Sequence, residues 1–128
     1  MSATTPKILL VDDETDIRML FRLALQNAGF SVKEASDGLE AIGQLQVEEF
    51  DGVVIDISMP RLDGVSAIST FKSMRHGRDV PVIVMTALSD PVIKKKAFDQ
   101  GAVAYLVKPL APDDLVQALH QHVVNKAK

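Results

Sequence analysis

Short apolar runs recur along the chain, and each is followed by a polar stretch. The runs that are typical of strands are Ile8–Val11, Phe30–Ala35, Val53–Ile57, Val80–Met85 and Ala102–Val107. Consecutive apolar residues, as in VVI and VIVM, favour strands buried on both faces, which occur mainly in parallel sheets covered by helices. The pattern therefore predicts an alternation of strands and helices.

The segments between and after these runs have helical spacing or helix-capping residues. The predicted helices cover roughly residues 15–28, 39–48, 63–77, 91–100 and 112–124. Asp37 is a candidate N-cap of the second helix, and Asp90-Pro91 is a cap followed by proline at the first helical position of the fourth. The first helix is expected to bury a face spaced by three and four residues, formed by Ile17, Leu20, Phe21, Ala24 and Ala28.

Five strands that alternate with five helices predict an α/β fold with right-handed crossovers and a three-layer αβα arrangement. For five parallel strands we expect the flavodoxin-like, doubly wound order 2-1-3-4-5, in which strands 1 and 3 are neighbours. The length of 128 residues is that of one domain, so we expect a single domain over residues 1–128.

Polar side chains follow four of the predicted strands. Asp12 and Asp13 follow KILLV, Asp56 follows GVVI, Thr86 follows VPVIVM, and Lys108 follows VAYLV. Ligands of open parallel sheets bind outside the carboxyl ends of the strands, where the strand order reverses. Three carboxylates, a hydroxyl and an ammonium group are therefore expected to share one crevice, as a site for phosphate and metal.

Composition narrows the class of protein. The formal net charge is -3, so the chain lacks the excess of basic residues that is typical of nucleic-acid binding, and we expect no direct binding to nucleic acid. The chain has no cysteine, which excludes disulfides and thiolate metal sites and fits a reducing cytoplasm. The longest apolar runs are strand-sized, and MSATTPK lacks the pattern of a signal peptide, so we expect neither membrane insertion nor export.

Four motifs, in order and in register, carry a family resemblance. LLVDDE, IDISMPRLDG, MTA and GAVAYLVKP resemble the motifs of a response-regulator receiver domain of two-component signalling, most closely the single-domain chemotaxis type. The resemblance extends from about Lys7 to Val124. Each motif alone is weak evidence, whereas four in register are specific.

The resemblance implies a role for each polar residue at the strand ends. Asp56 would accept a phosphoryl group from a sensor histidine kinase or a histidine phosphotransfer protein. Mg²⁺ would be bound by Asp13, Asp56 and the backbone carbonyl of Ser58, with Asp12 acting through a metal-bound water. Oxygen-only sites with few carboxylates suit Mg²⁺ better than a caged Ca²⁺, and a nearby cation keeps Asp56 ionised as a nucleophile.

The resemblance also implies a switch. Thr86 and Lys108 would contact the phosphoryl oxygens, and Tyr105 would change orientation when Thr86 moves. The Lys108–Pro109 peptide bond is expected to be cis. The output surface would be the face formed by the fourth helix, the fifth strand and the fifth helix, read by a downstream protein or by a C-terminal output domain beyond the given chain.

Met19 and Leu23 lie one turn apart, away from the predicted buried face of the first helix. Scattered exposed apolar residues need no special explanation. In receivers, however, the corresponding helix docks against the sensor kinase, so these two residues are candidates for partner docking.

Three other functions remain open at this point. A phosphohydrolase of the haloacid dehalogenase type also uses a strand-end aspartate, but its signature needs aspartates two apart, where this chain has Asp12, Asp13 and Glu14. A pseudo-receiver would bind partners without phosphorylation, against which the intact acidic set argues. Flavin binding would require a phosphate loop after the first strand, and no such loop follows that strand in this sequence. We expect a signalling domain that assists its own phosphorylation and dephosphorylation, without turnover of a metabolite.

Overall fold

The computed structural model describes residues 5–58 and 64–125 of the chain. Its strands are β1 (Lys7–Val11), β2 (Ser31–Ala35), β3 (Gly52–Ile55), β4 (Val82–Thr86) and β5 (Ala102–Val107). Its helices are α1 (Thr15–Asn27), α2 (Gly38–Val47), α3 (Gly64–Ser73), α4 (Pro91–Asp99) and α5 (Pro112–Leu119), which a π-helical turn continues over His120–Val124. The predicted alternation of strands and helices is confirmed. The predicted start of the third helix at Asp63 lies outside the described residues.

The five strands form one parallel sheet in the order β2-β1-β3-β4-β5. This is the predicted flavodoxin-like order, and it makes β1 and β3 neighbours at the centre of the fold. Gly29 and Gly101 turn the chain from α1 into β2 and from α4 into β5 with φ of 99° and 121°, values that L-residues with a Cβ rarely adopt. The topology thus brings the carboxyl ends of β1, β3 and β4 to one edge of the sheet.

Successive side chains of the central strands point into two separate cores. One core packs Leu9, Val53 and Val82 against α2, α3 and α4, whereas the other packs Ile8 and Leu10 against α1 and α5. The sheet is therefore covered on both faces, as the apolar runs predicted. Within the described residues, no helix is long and apolar enough to cross a bilayer.

Two predicted strands are wrong by two residues at one end, and local backbone chemistry explains both differences. The other predicted strand ends differ by one residue at most. The third strand ends at Ile55 instead of Ile57, because the chain turns there so that Ser58 donates back to the Asp56 carboxylate. The fourth strand covers Val82–Thr86 instead of Val80–Met85. Pro81 has no N–H to donate to the sheet, although its carbonyl still accepts from the Val53 amide at 3.0 Å.

The buried face of α1 also differs from the prediction. Leu20 is 52% exposed and Ala28 is exposed at the end of the helix, whereas Leu25 is fully buried beside Phe21. The buried face centres on Phe21 and Leu25, which are four residues apart. Leu20 lies about 100° around the helix from Phe21 and so points to solvent.

The third predicted helix is too long at its C-terminal end. It ends at Ser73, before the predicted range of Arg75 to Gly77. The amides of Met74 and Gly77 donate three residues back, which forms tight turns in place of another helical turn. Both predicted aspartate caps are confirmed: Asp37 accepts from the Glu40 amide and Asp90 from the Val92 amide.

Candidate functional site

Asp12 and Asp56 lie side by side at the carboxyl ends of the two central strands. The Asp12 amide donates to the Ala35 carbonyl at 3.1 Å, and the Asp56 amide donates to the Val11 carbonyl at 3.0 Å. These bonds continue the pairing of the strands by one residue, so Asp12 and Asp56 both follow directly on the paired strands β1 and β3. Both residues are buried. Buried carboxylates require a partner, because an unpaired charge away from water is costly.

Lys108 supplies that partner. Its Nζ lies 2.9 Å from Asp12 Oδ2 and 2.9 Å from Asp56 Oδ2. The Lys108 amide donates to the Thr86 carbonyl at 2.7 Å, which fixes the backbone from which the side chain reaches past β4. Burial lowers the pKa of the Lys108 ammonium, but hydrogen bonds to the two aspartates outweigh it and raise that pKa above its ordinary value. The ammonium is therefore held charged between the carboxylates.

Ser58 holds the other oxygen of the Asp56 carboxylate. Its amide donates to Asp56 Oδ1 at 2.9 Å and its hydroxyl donates to the same oxygen at 2.6 Å. Burial raises the pKa of Asp56, but the hydrogen bonds from Ser58 and Lys108 outweigh it and leave the pKa below its ordinary value. Asp56 is consequently an ionised carboxylate, the form required of a nucleophile.

Asp13 completes an acidic cluster with Asp12 and Asp56. One carboxylate oxygen from each of Asp12, Asp13 and Asp56 lies within 4.8 Å of the others, and Asp13 is exposed. Hard oxygen ligands at this separation, with room for several waters, are what Mg²⁺ prefers. The donor set therefore fits Mg²⁺.

Thr86 and Tyr105 are linked through the backbone of one residue, Leu88, which the sequence did not single out for this role. The Leu88 amide donates to Thr86 Oγ1 at 3.3 Å, and the Tyr105 hydroxyl donates to the Leu88 carbonyl at 2.6 Å. Tyr105 is buried, with its ring 6.5 Å from that of Phe98. Burial and the nearby carboxylates of Asp56 and Asp90 raise the pKa of the Tyr105 phenol, so it stays a donor. The loop after β4 is thus tied to both residues.

The remaining expected site features are located as follows. The Lys108–Pro109 bond is cis, as the resemblance implied.

Met19 and Leu23 are 45% and 48% exposed, and Leu20, which was predicted to be buried, joins them on the same surface. Beside them a cavity of about 430 Å³ opens next to Lys108. Its lining is almost entirely apolar and includes Ile17, Leu20, Phe21, Pro109 and Leu110.

Nothing in the sequence indicated that Arg18 contacts the backbone of the site. Its Nη1 donates to the backbone carbonyl of Asp12 at 2.6 Å, and its Nε donates to Glu34 Oε1 at 2.8 Å. Its partners are a main-chain carbonyl and a residue of another strand, so no spacing of residue types in the sequence indicates these hydrogen bonds.

Comparison with known proteins identifies chains that are similar to this one. The family model described as response regulator receiver domain matches residues 8–120. The transcriptional regulatory protein PdtaR of Mycobacterium tuberculosis is 39% identical over 119 residues, which is 92% of this chain and 57% of that protein. The probable transcriptional regulator ycf27 of Guillardia theta is 40% identical over 112 residues, 88% of this chain and 43% of that protein. The chain thus spans about half the length of these curated relatives.

Solved structures give the same result. The chemotaxis protein CheY4 of Vibrio cholerae superposes with a TM-score of 0.88 at 31% identity, covering 93% of this chain and 99% of that one. The receiver domain of the sensor histidine kinase PA1611 of Pseudomonas aeruginosa, which has a magnesium ion coordinated in its active site cleft, has a TM-score of 0.87 at 27% identity, covering 95% and 100%. The matched residues span nearly the whole described sheet and its acidic edge, and the chain belongs to the response regulator receiver domain family.

Proposed function

We propose that this chain is a phosphorylation-controlled switch that accepts a phosphoryl group on Asp56 from a sensor histidine kinase or a histidine phosphotransfer protein. One observation carries the proposal: Lys108 Nζ lies 2.9 Å from both Asp12 and Asp56, at the edge where two central strands end. A buried, ionised carboxylate beside a fixed ammonium is suited to phosphoryl transfer, which depends mainly on positioning and charge neutralisation. We expect the transfer to take place in the cytoplasm, consistent with a chain free of cysteine.

In the proposed transfer, an Asp56 carboxylate oxygen attacks the phosphorus of a phosphohistidine. A P–O bond forms as the P–N bond breaks, and the leaving imidazole takes a proton from solvent. Lys108, already charged, exchanges one of its carboxylate contacts for a phosphoryl oxygen. The hydroxyl of Thr86 donates to another phosphoryl oxygen. Hydrolysis later returns inorganic phosphate, so the domain turns over no metabolite.

Mg²⁺ is the proposed cofactor. Asp13, Asp56 and the backbone carbonyl of Ser58 would bind it, with Asp12 acting through water. Bound Mg²⁺ would neutralise charge that builds up on the transferring oxygens. The support is the acidic trio, whose ligand oxygens lie within 4.8 Å of one another.

The proposed output depends on the loop tied to Thr86 and Tyr105. When the Thr86 hydroxyl turns to the phosphoryl group, the Leu88 amide loses its 3.3 Å acceptor, and the peptide unit held by Tyr105 can move. That loop leads into α4, so its movement changes the face formed by α4, β5 and α5. Exposed apolar side chains already lie there, namely Val92, Phe98, Val103 and Val107. A downstream protein or an output domain of a longer chain would read this face.

The proposed docking surface for the phosphodonor is the apolar surface of α1 beside the site. It consists of Met19, Leu20 and Leu23, next to the cavity that opens at Lys108. Contiguous exposed apolar groups mark binding surfaces. A donor helix bound here would present its histidine close to Asp56.

The Asp56→Asn variant tests the assignment of the phosphoacceptor. The amide keeps the shape of the carboxylate but is too weak a nucleophile, so we expect phosphoryl acceptance to be abolished. Incubation with Mg²⁺ and acetyl phosphate, followed by intact-mass measurement, checks this expectation: the wild-type chain should gain one phosphoryl group and the variant none. An Asp51→Asn variant, altered at an exposed aspartate far from the acidic cluster, is the control. Equal labelling of Asp56→Asn and wild type would refute the proposal.

A further inference from the structure

We propose that Arg18 is a positioning residue that holds the Asp12–Asp13 segment in the geometry required for binding Mg²⁺. This inference rests on the proposed function, because it concerns the same acidic cluster. Arg18 itself does not enter that cluster: its described hydrogen bonds go to a main-chain carbonyl and to Glu34.

The contact acts on the peptide that joins two of the acidic residues. Arg18 Nη1 donates to the Asp12 carbonyl at 2.6 Å, and that carbonyl belongs to the planar unit linking Asp12 to Asp13. Fixing the carbonyl therefore fixes the direction in which the chain leaves Asp12 and the position of the Asp13 backbone. Asp13 is exposed and has no described hydrogen bond to hold its side chain, so its backbone is what places it.

Other contacts fix the rest of Asp12. Its amide donates to Ala35, its Oδ1 accepts from the Glu14 amide at 2.9 Å, and its Oδ2 accepts from Lys108. The carbonyl is the one remaining polar group of Asp12, and Arg18 satisfies it. Without Arg18, the hydrogen bond from the Glu14 amide to Asp12 Oδ1 would remain across this peptide, but no described side chain would hold its carbonyl.

Arg18 is itself held rigidly. Its Nε donates to Glu34 Oε1 at 2.8 Å, and its side chain is only 15% exposed. Glu34 lies in β2, where its backbone carbonyl accepts from Gln44 Nε2 of α2 at 2.7 Å. The residue that holds the Arg18 guanidinium is thus part of β2, and its backbone is tied to α2.

Arg22 provides a matched control within the same chain. Its Nε lies 3.0 Å from the other oxygen of Glu34, in a geometry too bent for a hydrogen bond. Arg22 therefore carries the same charge beside the same carboxylate, one turn further along α1, but has no described contact with Asp12. If charge alone matters, removal of either arginine should change the Mg²⁺ affinity in the same direction.

A purely electrostatic role of Arg18 and a positioning role predict opposite changes in Mg²⁺ affinity when Arg18 is removed. If Arg18 acted only as a nearby cation, its removal would reduce repulsion and tighten Mg²⁺ binding. If it positions the Asp12–Asp13 segment, its removal weakens binding. Residues behind metal ligands typically contribute 10- to 100-fold in metal affinity. Because Arg18 acts on the backbone, we expect about tenfold weaker Mg²⁺ binding in Arg18→Gln, the low end of that range.

The experiment is an NMR titration of the full chain with MgCl₂, comparing wild type, Arg18→Gln, Arg18→Lys and Arg22→Gln. We expect Arg22→Gln to bind Mg²⁺ as tightly as wild type or slightly more tightly. Arg18→Lys keeps one donor to the carbonyl and should recover part of the affinity. The rate of phosphorylation by acetyl phosphate should fall in Arg18→Gln at low Mg²⁺ and approach the wild-type rate at saturating Mg²⁺.

Each result has a distinct meaning. Equal Mg²⁺ affinities in Arg18→Gln and Arg22→Gln, or tighter binding in Arg18→Gln, would overturn the positioning role while leaving the proposed function intact. A wild-type chain that binds no Mg²⁺ would instead refute the proposed function. If urea titration in EDTA shows that Arg18→Gln is unfolded, Arg18→Lys serves as the test. Weaker Mg²⁺ binding in Arg18→Lys than in Arg22→Gln would then support the positioning role, and binding as tight as in Arg22→Gln would overturn it.

Discussion

At the scale of single residues, the two buried carboxylates of the site are paired with a cation before any ligand binds. The ammonium of Lys108 lies between two buried carboxylates, and Ser58 donates twice to one of them. The residue types at the strand ends could be recognised from the sequence. The links made by Leu88 and Arg18 could not, because they use main-chain atoms that every residue possesses.

Lys108→Met tests this pairing of the two carboxylates with one cation. The substitution leaves the carboxylates of Asp12 and Asp56 without their shared cation, so the metal-free protein should lose about 3 kcal/mol of unfolding free energy. This is at the low end for a broken buried pair, because the site borders solvent. Mg²⁺ should restore more stability to the variant than it adds to wild type, since the cation then neutralises unpaired carboxylates. Urea unfolding in EDTA and in MgCl₂ measures both effects; equal gains from Mg²⁺ would contradict this account.

At the scale of elements, helix and strand boundaries follow from local chemistry that the sequence shows only in part. The aspartate caps of α2 and α4 were predicted because capping depends on the residue itself. The start of β4 was misplaced because Pro81 accepts from the sheet without donating to it. The prediction that Leu20 lies on the buried face of α1 was wrong. The spacing of apolar residues does not show which of two neighbouring apolar rows on the helix packs against the sheet.

Gly43 offers a prediction for α2. It lies exposed in the interior of the helix, and a Cβ placed there would have no neighbour within 4 Å. Gly43→Ala should therefore stabilise the protein by about 0.5–1 kcal/mol, through reduced backbone entropy of the unfolded chain. Gly64→Ala is the contrasting variant, because its Cβ would lie 2.2 Å from Ile57 Cα and must displace backbone. Urea unfolding should show opposite signs for the two substitutions; the same sign would contradict the structure.

At the scale of the whole molecule, the strand order could be predicted because five alternating strands and helices have few right-handed solutions. That order placed Asp12, Asp13 and Asp56 together, and it located the site without any knowledge of side-chain contacts. The surfaces for partners could not be predicted with the same detail. Which apolar residues stay exposed depends on how α1 and α5 pack against the sheet, and the cavity beside Lys108 is lined by α1 and by the loops after β4 and β5.

The docking surface on α1 gives a prediction at this scale. A Met19→Glu, Leu23→Glu variant places two charges on the apolar surface proposed to receive the phosphodonor. Transfer from a phosphorylated histidine partner should slow at least tenfold, whereas labelling by acetyl phosphate should be unchanged because Asp56 is untouched. Val47→Glu, a substitution at a residue 78% exposed on α2, is the control. Unchanged transfer from the protein donor would exclude α1 as its docking site.

The division of the helices between the two faces of the sheet has a consequence for the timing of signals. α1 packs in one layer and α4 in the other, so the α1 surface proposed to meet the donor and the α4 part of the proposed output face lie on opposite sides of the sheet. α5, the other helix of that output face, packs in the same layer as α1. A reader that binds mainly through α4 would therefore not compete with the donor for the same surface. For such a reader, the duration of a response would be governed by how long the mixed anhydride on Asp56 survives hydrolysis, and not by how long the donor stays bound.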